Sequence, residues 1–214
     1  FAIDTYLPSF PAIQADFTVS AVEVQQTLSL YLIAFAVMTL FHGTISDSFG
    51  RRPVVLVNTA IFTLASVGCA LAATFEQLIV FRMLQGASAG AGIVVGRAII
   101  RDSFEGHAAQ RLMSLVTMIF GLAPAIAPVV GGWLQEAFGW RSVFLFLVGY
   151  SALLLLACQL TLRETLTPAE RHQLSDEAAA VANMSARLRK KQKADADLAR
   201  ARRGLENLEL KAPA

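Results

Sequence analysis

Polar residues that could do chemistry are few in this sequence, and they interrupt long apolar runs. Asp4 and Tyr6 lie near its start, and Arg82 and Gln85 lie in the middle of an apolar stretch. A carboxylate near an arginine can take up and release a proton, because the positive charge sets its proton affinity. A charge inside an apolar segment should also face a partner or a wet cavity. These residues are therefore candidates for a functional polar site within the apolar segments.

The remaining polar residues predict no enzyme site. No nucleophile with its base, metal-ligand cluster or pair of carboxylates falls within one site. Cys69 and Cys158 each stand alone in an apolar run, which predicts neither a disulfide nor a metal centre. The glycines after Arg82 nearly form a dinucleotide-binding fingerprint, but their spacing differs and no strand precedes them. Basic residues form no stripe with aromatic residues, so we expect no nucleic-acid partner.

Long runs without charge predict the elements that hold the candidate residues. Of the 214 residues, 55% are hydrophobic and 16% are charged, which is too apolar for an ordinary soluble domain. A bilayer core is crossed by about 20 apolar residues. Five segments reach that length, namely 24–46, 53–75, 77–100, 112–135 and 142–162. The third segment is interrupted only by Arg82 and Arg97. The sequence predicts an all-α membrane protein.

The start of the chain predicts a sixth, shortened span. Residues 1–13 are too few to cross a bilayer, and Pro8 and Pro11 predict the end of a helix there. We therefore interpret Phe1–Leu7 as the last turns of a first span. The transmembrane bundle would then extend over residues 1–163.

The tail over residues 164–214 has a different character. Pro168 predicts a helix break, and every lysine lies beyond residue 189. The stretch after the proline is rich in alanine, arginine and glutamate and has good helix propensity. We expect a solvated, cytoplasmic segment that is partly helical or disordered. The alternative is that its basic cluster at residues 187–193 rests on anionic lipid headgroups.

The distribution of arginines predicts the orientation of the bundle. Arg51 and Arg52 lie in one loop, Arg101 and Arg111 in another, and Arg163 opens the tail. The alternate loops are mainly acidic. Because arginine and lysine accumulate in cytoplasmic loops, we expect the first set of loops and the tail in the cytoplasm.

A repeated segment predicts internal symmetry. Residues 43–54 match residues 132–143 at a constant offset of 89, and seven positions agree in residue type. One copy joins the second and third spans on the expected inside, and the other joins the fifth and sixth on the expected outside. Equivalent loops on opposite faces predict a 3+3 inverted repeat, that is, two three-helix units in opposite orientations. Chance similarity of two short helix-turn-helix segments is the alternative.

The first copy of the repeat resembles a known family motif. It is similar to motif A of the major facilitator superfamily, the loop between the second and third helices of that family. The matching residues are Gly43, Asp47, Gly50, Arg51 and Arg52. The family usually has Arg or Lys directly after the aspartate, whereas this chain has Ser48.

The resemblance implies that this loop belongs to a gate. A salt-bridge network at the cytoplasmic rim would join Asp47 to Arg97 and Arg101 at the end of the fourth span, and it would break when the rim opens. For Arg101, anchoring to lipid headgroups is an equal alternative.

Two further patterns continue the resemblance in the expected order. Ile79-x-x-Arg82-x-x-Gln85-Gly86 is similar to motif B. A segment of the fifth span looks like motif C, which the superfamily associates with antiporters. Its residues are Gly121, Pro124, Pro128, Gly131 and Gly132. Proline and glycine here would supply a kink and close packing.

The start of the chain resembles one branch of the superfamily. Asp4-x-Tyr6-Leu7-Pro8 is similar to the end of the first helix in drug:proton antiporters, particularly the Bcr/CflA group of bicyclomycin-resistance type. Asp4 and Arg82 would lie at similar depth and face one cavity, where Asp4 exchanges the proton and Arg82 sets its affinity. The expected residues of the cavity are Asp4, Tyr6, Tyr31, Arg82 and Gln85. A role for Asp4 as an interfacial acid is the alternative.

Together these motifs identify the N-terminal six-helix half, with a truncated first helix, of a major facilitator bundle. The implied function is proton-coupled efflux of small amphipathic drugs across the cell inner membrane by alternating access, driven by the proton gradient without a cofactor. Its partners would be the drug, protons, the lipid bilayer and a C-terminal six-helix half, without which the chain is not expected to be active. Transport of a sugar or metabolite, or a non-transporting membrane adaptor, are the alternatives.

Overall fold

The structure is a computed structural model that describes residues 1–167 and, beyond them, residues 176, 180, 184–185, 188–190 and 192. Residues 1–167 belong to one compact unit and the later ones to a second. The expected tail over 164–214 and its basic cluster therefore lie largely outside the described residues.

Helices make up most of residues 1–167. A 3₁₀ turn at Leu7–Ser9 precedes six α-helices, which are α1 (Phe10–Phe17), α2 (Ala21–Phe49), α3 (Arg51–Leu71), α4 (Phe75–Ser103), α5 (Gly106–Phe138) and α6 (Arg141–Thr161). Helices α2 to α6 are each long and apolar enough to cross a membrane. The predicted all-α, multi-pass membrane fold is confirmed.

Side-chain caps begin two of the long helices. Ser20 Oγ accepts a hydrogen bond from the Glu23 N–H at 3.3 Å, and Glu23 Oε2 accepts one from the Ser20 N–H at 2.7 Å. At the start of α4, Thr74 Oγ1 accepts a hydrogen bond from the Gln77 N–H at 3.3 Å. Each such cap satisfies a backbone donor that the first turn leaves free and contributes about 1 kcal/mol.

Helix capping also explains why the predicted span 53–75 extends beyond the end of α3 in the structure. The charge-free run 53–75 extends past α3, which ends at Leu71. Ala72 leaves the helix, and Thr74 caps the next one so that Phe75 already belongs to α4. Absence of charge does not mark this boundary, because the residues that break the helix are uncharged.

Pro8 and Pro11 were predicted to end a helix, but in the structure each lies at the start of a helical element. Pro8 lies in the first positions of the 3₁₀ turn and Pro11 in those of α1, which continues to Phe17. Proline fits the first turn of a helix because the N–H that it lacks would have no intrahelical partner there. Residues 2–6 form turns. The stretch of residues 1–17, which we call the first segment, is therefore α-helical only from Phe10 onwards.

A cluster of the hydrophobic core lies at one end of the bundle. We call this end, which includes the α5–α6 turn, the Arg141 end, and the end with the α2–α3 turn the Arg51 end. Buried apolar side chains of α1, α2, α3, α4 and α6 and of the turn before α6 meet there, including Ile13, Val24, Cys69, Leu78, Trp140, Phe144 and Leu147. The start of the chain joins this core through Tyr6.

Helix α4 packs along both α2 and α3, and α6 packs along α3. Two glycines allow α4 to approach α2. A Cβ atom at Gly86 would overlap the Tyr31 carbonyl group, and one at Gly90 would lie 2.6 Å from Thr39 Oγ1. This agrees with the close helix contact that the small residues predict.

The next pair of glycines does not act in this way. A Cβ atom at Gly92 or at Gly96 would meet nothing within 4 Å. The Gly-x-x-x-Gly spacing of Gly92 and Gly96 therefore marks no close helix contact among the described residues.

Gly86→Ala should destabilise the bundle, because its methyl group would overlap backbone atoms of α2 that cannot rotate away. We expect a loss of about 1–3 kcal/mol in the free energy of unfolding, measured by denaturation in detergent micelles. Gly96→Ala is the matched control in the same helix and should cause no loss. Equal stability of the two variants would contradict the close approach.

Candidate functional site

A cavity of about 530 Å³ lies among the first residues of the chain and helices α2 to α6. Its aromatic residues are Phe1, Tyr31, Phe35, Phe62, Phe120 and Tyr150. Its polar residues are Asp4, Asn58, Thr59, Ser88 and Ser151. The volume lies in the range of small-molecule sites, about 300–1,000 Å³. The wall therefore suits a ligand that is mostly apolar and carries a few polar groups.

Asp4 supplies the carboxylate of this wall. Among the described residues that line the cavity it is the one acid, and its side chain is 25% exposed. Its Oδ2 atom lies 3.4 Å from the amino group of Phe1. The structure thus places Asp4 where a ligand or proton in the cavity could reach it.

Arg82 is fully buried and does not line the cavity. Its guanidinium carbon lies 4.3 Å from the ring centroid of Tyr6 and 4.3 Å from that of Tyr31. Two aromatic rings therefore sandwich the cation, and a desolvated contact of this kind contributes about 2 kcal/mol. The expectation that Asp4 and Arg82 both face the cavity is corrected here, because Tyr31 lines the cavity and its ring covers Arg82.

A chain of hydrogen bonds continues from Arg82 to α3. Arg82 Nη1 donates to Gln85 Oε1 at 2.6 Å, and Gln85 Nε2 donates to Ser66 Oγ at 2.7 Å. The Nε and Nη2 atoms of Arg82 have no hydrogen-bond partner among the described residues. A carboxylate that came within reach could therefore accept hydrogen bonds from this cation.

Tyr6 fixes the first segment against α2. Thr27 Oγ1 donates to the Val24 carbonyl at 2.6 Å, so its remaining capacity is to accept. The Tyr6 hydroxyl, 2.8 Å from Thr27 Oγ1, therefore acts as the donor. Tyr6 is fully buried and is not part of the cavity wall. Its role in the site is to cover one face of Arg82.

At the Arg51 end, Arg51 joins the turn after α2 to the end of α4. Its guanidinium pairs with Asp47, its Nε donates to Asp102 Oδ2 at 2.9 Å, and its Nη1 donates to Ser46 Oγ at 2.6 Å. The Arg51 side chain is only 6% exposed. The predicted gate residues Asp47 and Arg51 therefore meet in one ion-pair network.

Arg97 and Arg101 of α4, which were predicted to pair with Asp47, do not join this network. Arg97 and Arg101 are exposed, and neither forms a salt bridge with a described residue. The residue of α4 that enters the network is Asp102, which binds Arg51 rather than Asp47. The physical reason is helix geometry, because one residue further along an α-helix points about 100° away.

Sequence reasoning also missed Glu164, which follows α6. Its Oε1 accepts a hydrogen bond from the Arg51 N–H at 2.9 Å, and its Oε2 accepts one from the Arg52 N–H at 3.2 Å. A carboxylate is favoured at a helix start, because the N–H groups there are unpaired and the helix dipole is positive. The available signal was an acid directly after the last span, on the same predicted side of the membrane as the arginine pair.

Motif C brings α5 against the first segment. A Cβ atom at Gly131 would overlap the Thr5 carbonyl group, so only glycine permits this contact. A Cβ at Gly132 would be in ordinary contact with Pro8, at 3.9 Å. The close packing expected of this motif therefore holds Asp4 and its neighbours against α5.

The remaining motif residues have looser surroundings. Helix α5 runs through Pro124 and Pro128 as one helix, and Pro124 lines the cavity. A Cβ at Gly121 would meet nothing within 4 Å, and one at Gly43 would lie 3.8 Å from Val94 Cγ1. The kink expected at Pro128 stays a prediction.

Several known proteins are similar in sequence to this chain. The family model described as Major Facilitator Superfamily matches residues 1–203. The chain is 39% identical over 191 residues to the uncharacterized MFS-type transporter YdgK of Bacillus subtilis. It is 36% identical over 163 residues to the multidrug resistance protein MdtL of Escherichia coli, and 35% identical over 144 residues to the bicyclomycin resistance protein homolog of Haemophilus influenzae.

These matches cover most of this chain and less than half of each relative. They include 87%, 76% and 67% of this chain, and 47%, 42% and 36% of the respective relatives. The chain therefore spans less than half the length of the curated relatives that it matches.

Solved structures agree on the fold. The human organic anion transporter MFSD10 (TETRAN) superposes with a TM-score of 0.61 at 22% identity, over 79% of this chain and 46% of that one. A D-xylose-proton symporter superposes with a TM-score of 0.62 at 20% identity, over 87% of this chain and 50% of that one. At such identities the likeness concerns the fold alone.

Arg82→Lys should destabilise the bundle, because an ammonium group cannot lie flat between the rings of Tyr6 and Tyr31. We expect the free energy of unfolding in detergent micelles to fall by about 1–2 kcal/mol. Arg97→Lys is the matched control on the same helix and should change it by less than about 0.5 kcal/mol. A loss of equal size in both variants would contradict the role of the rings.

Glu164→Ala should loosen the start of α3, because two N–H groups lose their carboxylate. We expect the free energy of local opening at the start of α3 to fall by about 1 kcal/mol. Glu164→Gln keeps one acceptor oxygen and should lower this free energy by less. Glu136→Ala is the control, since Glu136 is exposed and its side chain makes no hydrogen bond with a described residue. The measurement is hydrogen exchange at the first amides of α3, and unchanged exchange in Glu164→Ala would refute the cap.

Proposed function

Because the chain belongs to the major facilitator superfamily, we propose that this protein exports small amphipathic drugs in exchange for protons. The observation that carries the proposal is Asp4, a single acid on the described wall of an aromatic cavity. Its carboxylate would bind either a proton or a polar or cationic group of the drug, and competition between the two couples their movements. The relatives named for multidrug and bicyclomycin resistance support this choice of substrate class.

The lining of the cavity supports an amphipathic substrate. Six aromatic side chains offer flat apolar surface, and hydroxyl and amide groups stand at separate points on the wall. Such a surface binds molecules of varied shape through apolar contact, while the polar groups set orientation. A sugar requires many directed hydrogen bonds, so this wall favours a drug over a sugar.

Arg82 would act on Asp4 from a distance. Its positive charge is fixed next to Tyr31, which also lines the cavity with Asp4. A positive charge close to a carboxylate favours the ionised form. We propose that any movement of Tyr31 that brings Arg82 closer to Asp4 releases the proton.

We also propose the setting in which this exchange takes place. The bundle would lie in the cell inner membrane with the Arg51 end and the tail in the cytoplasm, as the positive-inside rule indicates. A C-terminal six-helix half would complete the cavity, and alternating access would expose Asp4 to each side in turn. Transport of another metabolite and a non-transporting adaptor remain the competing functions, and a panel of efflux substrates separates them.

Asp4→Asn should abolish proton-driven drug efflux, because an amide cannot exchange a proton. The measurement uses the complete reading frame that contains this chain, in proteoliposomes with an imposed pH gradient. Drug exchange without a gradient should weaken as well, because the neutral amide resembles the protonated acid, the form from which the drug is released. Asp4→Glu should restore part of the gradient-driven efflux.

Glu76→Gln is the control, since Glu76 is an exposed acid outside the cavity. It should transport like the unchanged protein. If Asp4→Asn kept its full response to the pH gradient, Asp4 would not be the coupling residue. If the unchanged protein moved no drug on the panel, the proposed substrate class would be wrong.

A further inference from the structure

The two turns that the sequence repeat aligns have the same backbone geometry. Gly50 separates α2 from α3 with φ 99° and ψ 156°, and Gly139 separates α5 from α6 with φ 82° and ψ 167°. Each glycine N–H bonds to the carbonyl four residues earlier, at 3.0 Å in the first turn and 2.9 Å in the second. Only glycine adopts this region readily. The aligned turns are therefore built alike.

The residue after each glycine binds an aspartate from another helix. Arg51 Nε donates to Asp102 Oδ2 at 2.9 Å, and the aligned Trp140 Nε1 donates to Asp16 Oδ2 at 3.1 Å. Each aspartate is the penultimate residue of its helix, α4 or α1. An acid is disfavoured at a helix C-terminus by the helix dipole, so each one benefits from a donor there.

The second residue after each glycine binds a carbonyl at the end of a further helix. Arg52 Nη2 donates to the Gln159 carbonyl near the end of α6 at 3.0 Å. The aligned Arg141 Nη2 donates to the Ala72 carbonyl at the end of α3 at 3.2 Å. Helices α3 and α6 are equivalent in the predicted repeat, so this pair of contacts also follows the symmetry.

Arg141 makes one more contact that has no direct counterpart in Arg52. Its Nη1 donates to Asp16 Oδ2 at 2.8 Å, and its guanidinium carbon lies 4.2 Å from the ring centroid of Trp140. Asp16, Trp140 and Arg141, which we call the outer clasp, thus tie α1, α3 and α6 together at the Arg141 end. Trp140 is only 5% exposed, whereas the Arg141 and Asp16 side chains are 45% and 43% exposed.

We propose that the outer clasp is a gate contact, the counterpart at the Arg141 end of the Arg51 network, and that it breaks when this end of the cavity opens. The proposal rests on the proposed transport function. Asp16, Trp140 and Arg141 would then be positioning residues, which set the balance between two access states without touching the drug. Weakening the outer clasp would favour opening at the Arg141 end, and weakening the Arg51 network would favour opening at the other.

Side-specific labelling of a cavity cysteine tests this in the complete reading frame that contains this chain. Gly92→Cys is a suitable reporter, because Gly92 lines the cavity and a side chain there meets nothing within 4 Å. Cys69 and Cys158 are replaced by alanine in all variants. A membrane-impermeant maleimide is added from either side of oriented membrane vesicles, without any drug.

Asp16→Asn should raise labelling from the Arg141 side by about two- to fivefold, the range that a partly exposed ion pair supports. Asp102→Asn should raise labelling from the Arg51 side instead. The effects of Asp16→Asn and Arg141→Gln on labelling should be less than additive in free energy, since both changes remove the same ion pair, although Arg141→Gln also removes the bond to the Ala72 carbonyl. Trp140→Phe, which removes only the indole N–H, should give a smaller shift in the same direction.

Glu76→Gln, an exposed acid at the same end, is the control and should leave both labelling rates unchanged. Loss of packing alone would raise labelling from both sides, so the opposite directions identify a gate. Unchanged labelling in Asp16→Asn and Trp140→Phe, or a rise from both sides, would overturn the proposal. Labelling needs no substrate, so a failed drug assay together with the expected shifts would refute only the proposed drug export.

Discussion

A guanidinium group within an apolar bundle needs partners on several sides, because it stays charged and little water reaches it. The buried Arg51 and Arg82 meet that requirement by contacting several elements at once, and the half-exposed Arg141 also contacts several elements. Arg51 joins the α2–α3 turn to α4, Arg82 joins α4 to α2 and the first segment, and Arg141 joins α6 to α1 and α3. Each of these arginines thus joins two or more elements through one positive charge. Apolar contact fills the space between them, as in the core around Phe144.

The long helices could be predicted from sequence because a membrane span has one simple requirement, a run of about 20 residues without charge. The family could be recognised because motif residues such as Asp47 and Gly50 stand at helix ends, where backbone geometry and charge limit the choice. The first segment could not be predicted in this way. Pro8 and Pro11 are compatible both with the end of a preceding helix and with the first turn of a following one. Only the contacts of the residues that follow decide between these two possibilities.

The candidate site was harder to predict than the fold, because a sequence pattern gives depth along a helix more reliably than direction around it. Arg101 and Asp102 have nearly the same depth, yet only Asp102 points at Arg51. Asp4 and Arg82 were expected to share a cavity for the same reason, and the ring of Tyr31 separates them. Glu164 was missed because it lies after the last span, in a segment whose composition indicates only a solvated tail.

The two ends of the bundle differ in how strongly they are held. The Arg51 side chain is 6% exposed, has two acids and a hydroxyl as partners, and sits where Glu164 caps the helix. In the outer clasp, the Arg141 and Asp16 side chains are nearly half exposed, and Arg141 shares the single carboxylate of Asp16 with the buried Trp140. Removing one partner from a buried charge network leaves a costly uncompensated group, whereas an exposed ion pair can exchange its partner for water at little cost. If both are gate contacts, the Arg141 end therefore opens more easily, and the cavity around Asp4 rests facing that side until the Arg51 network is broken.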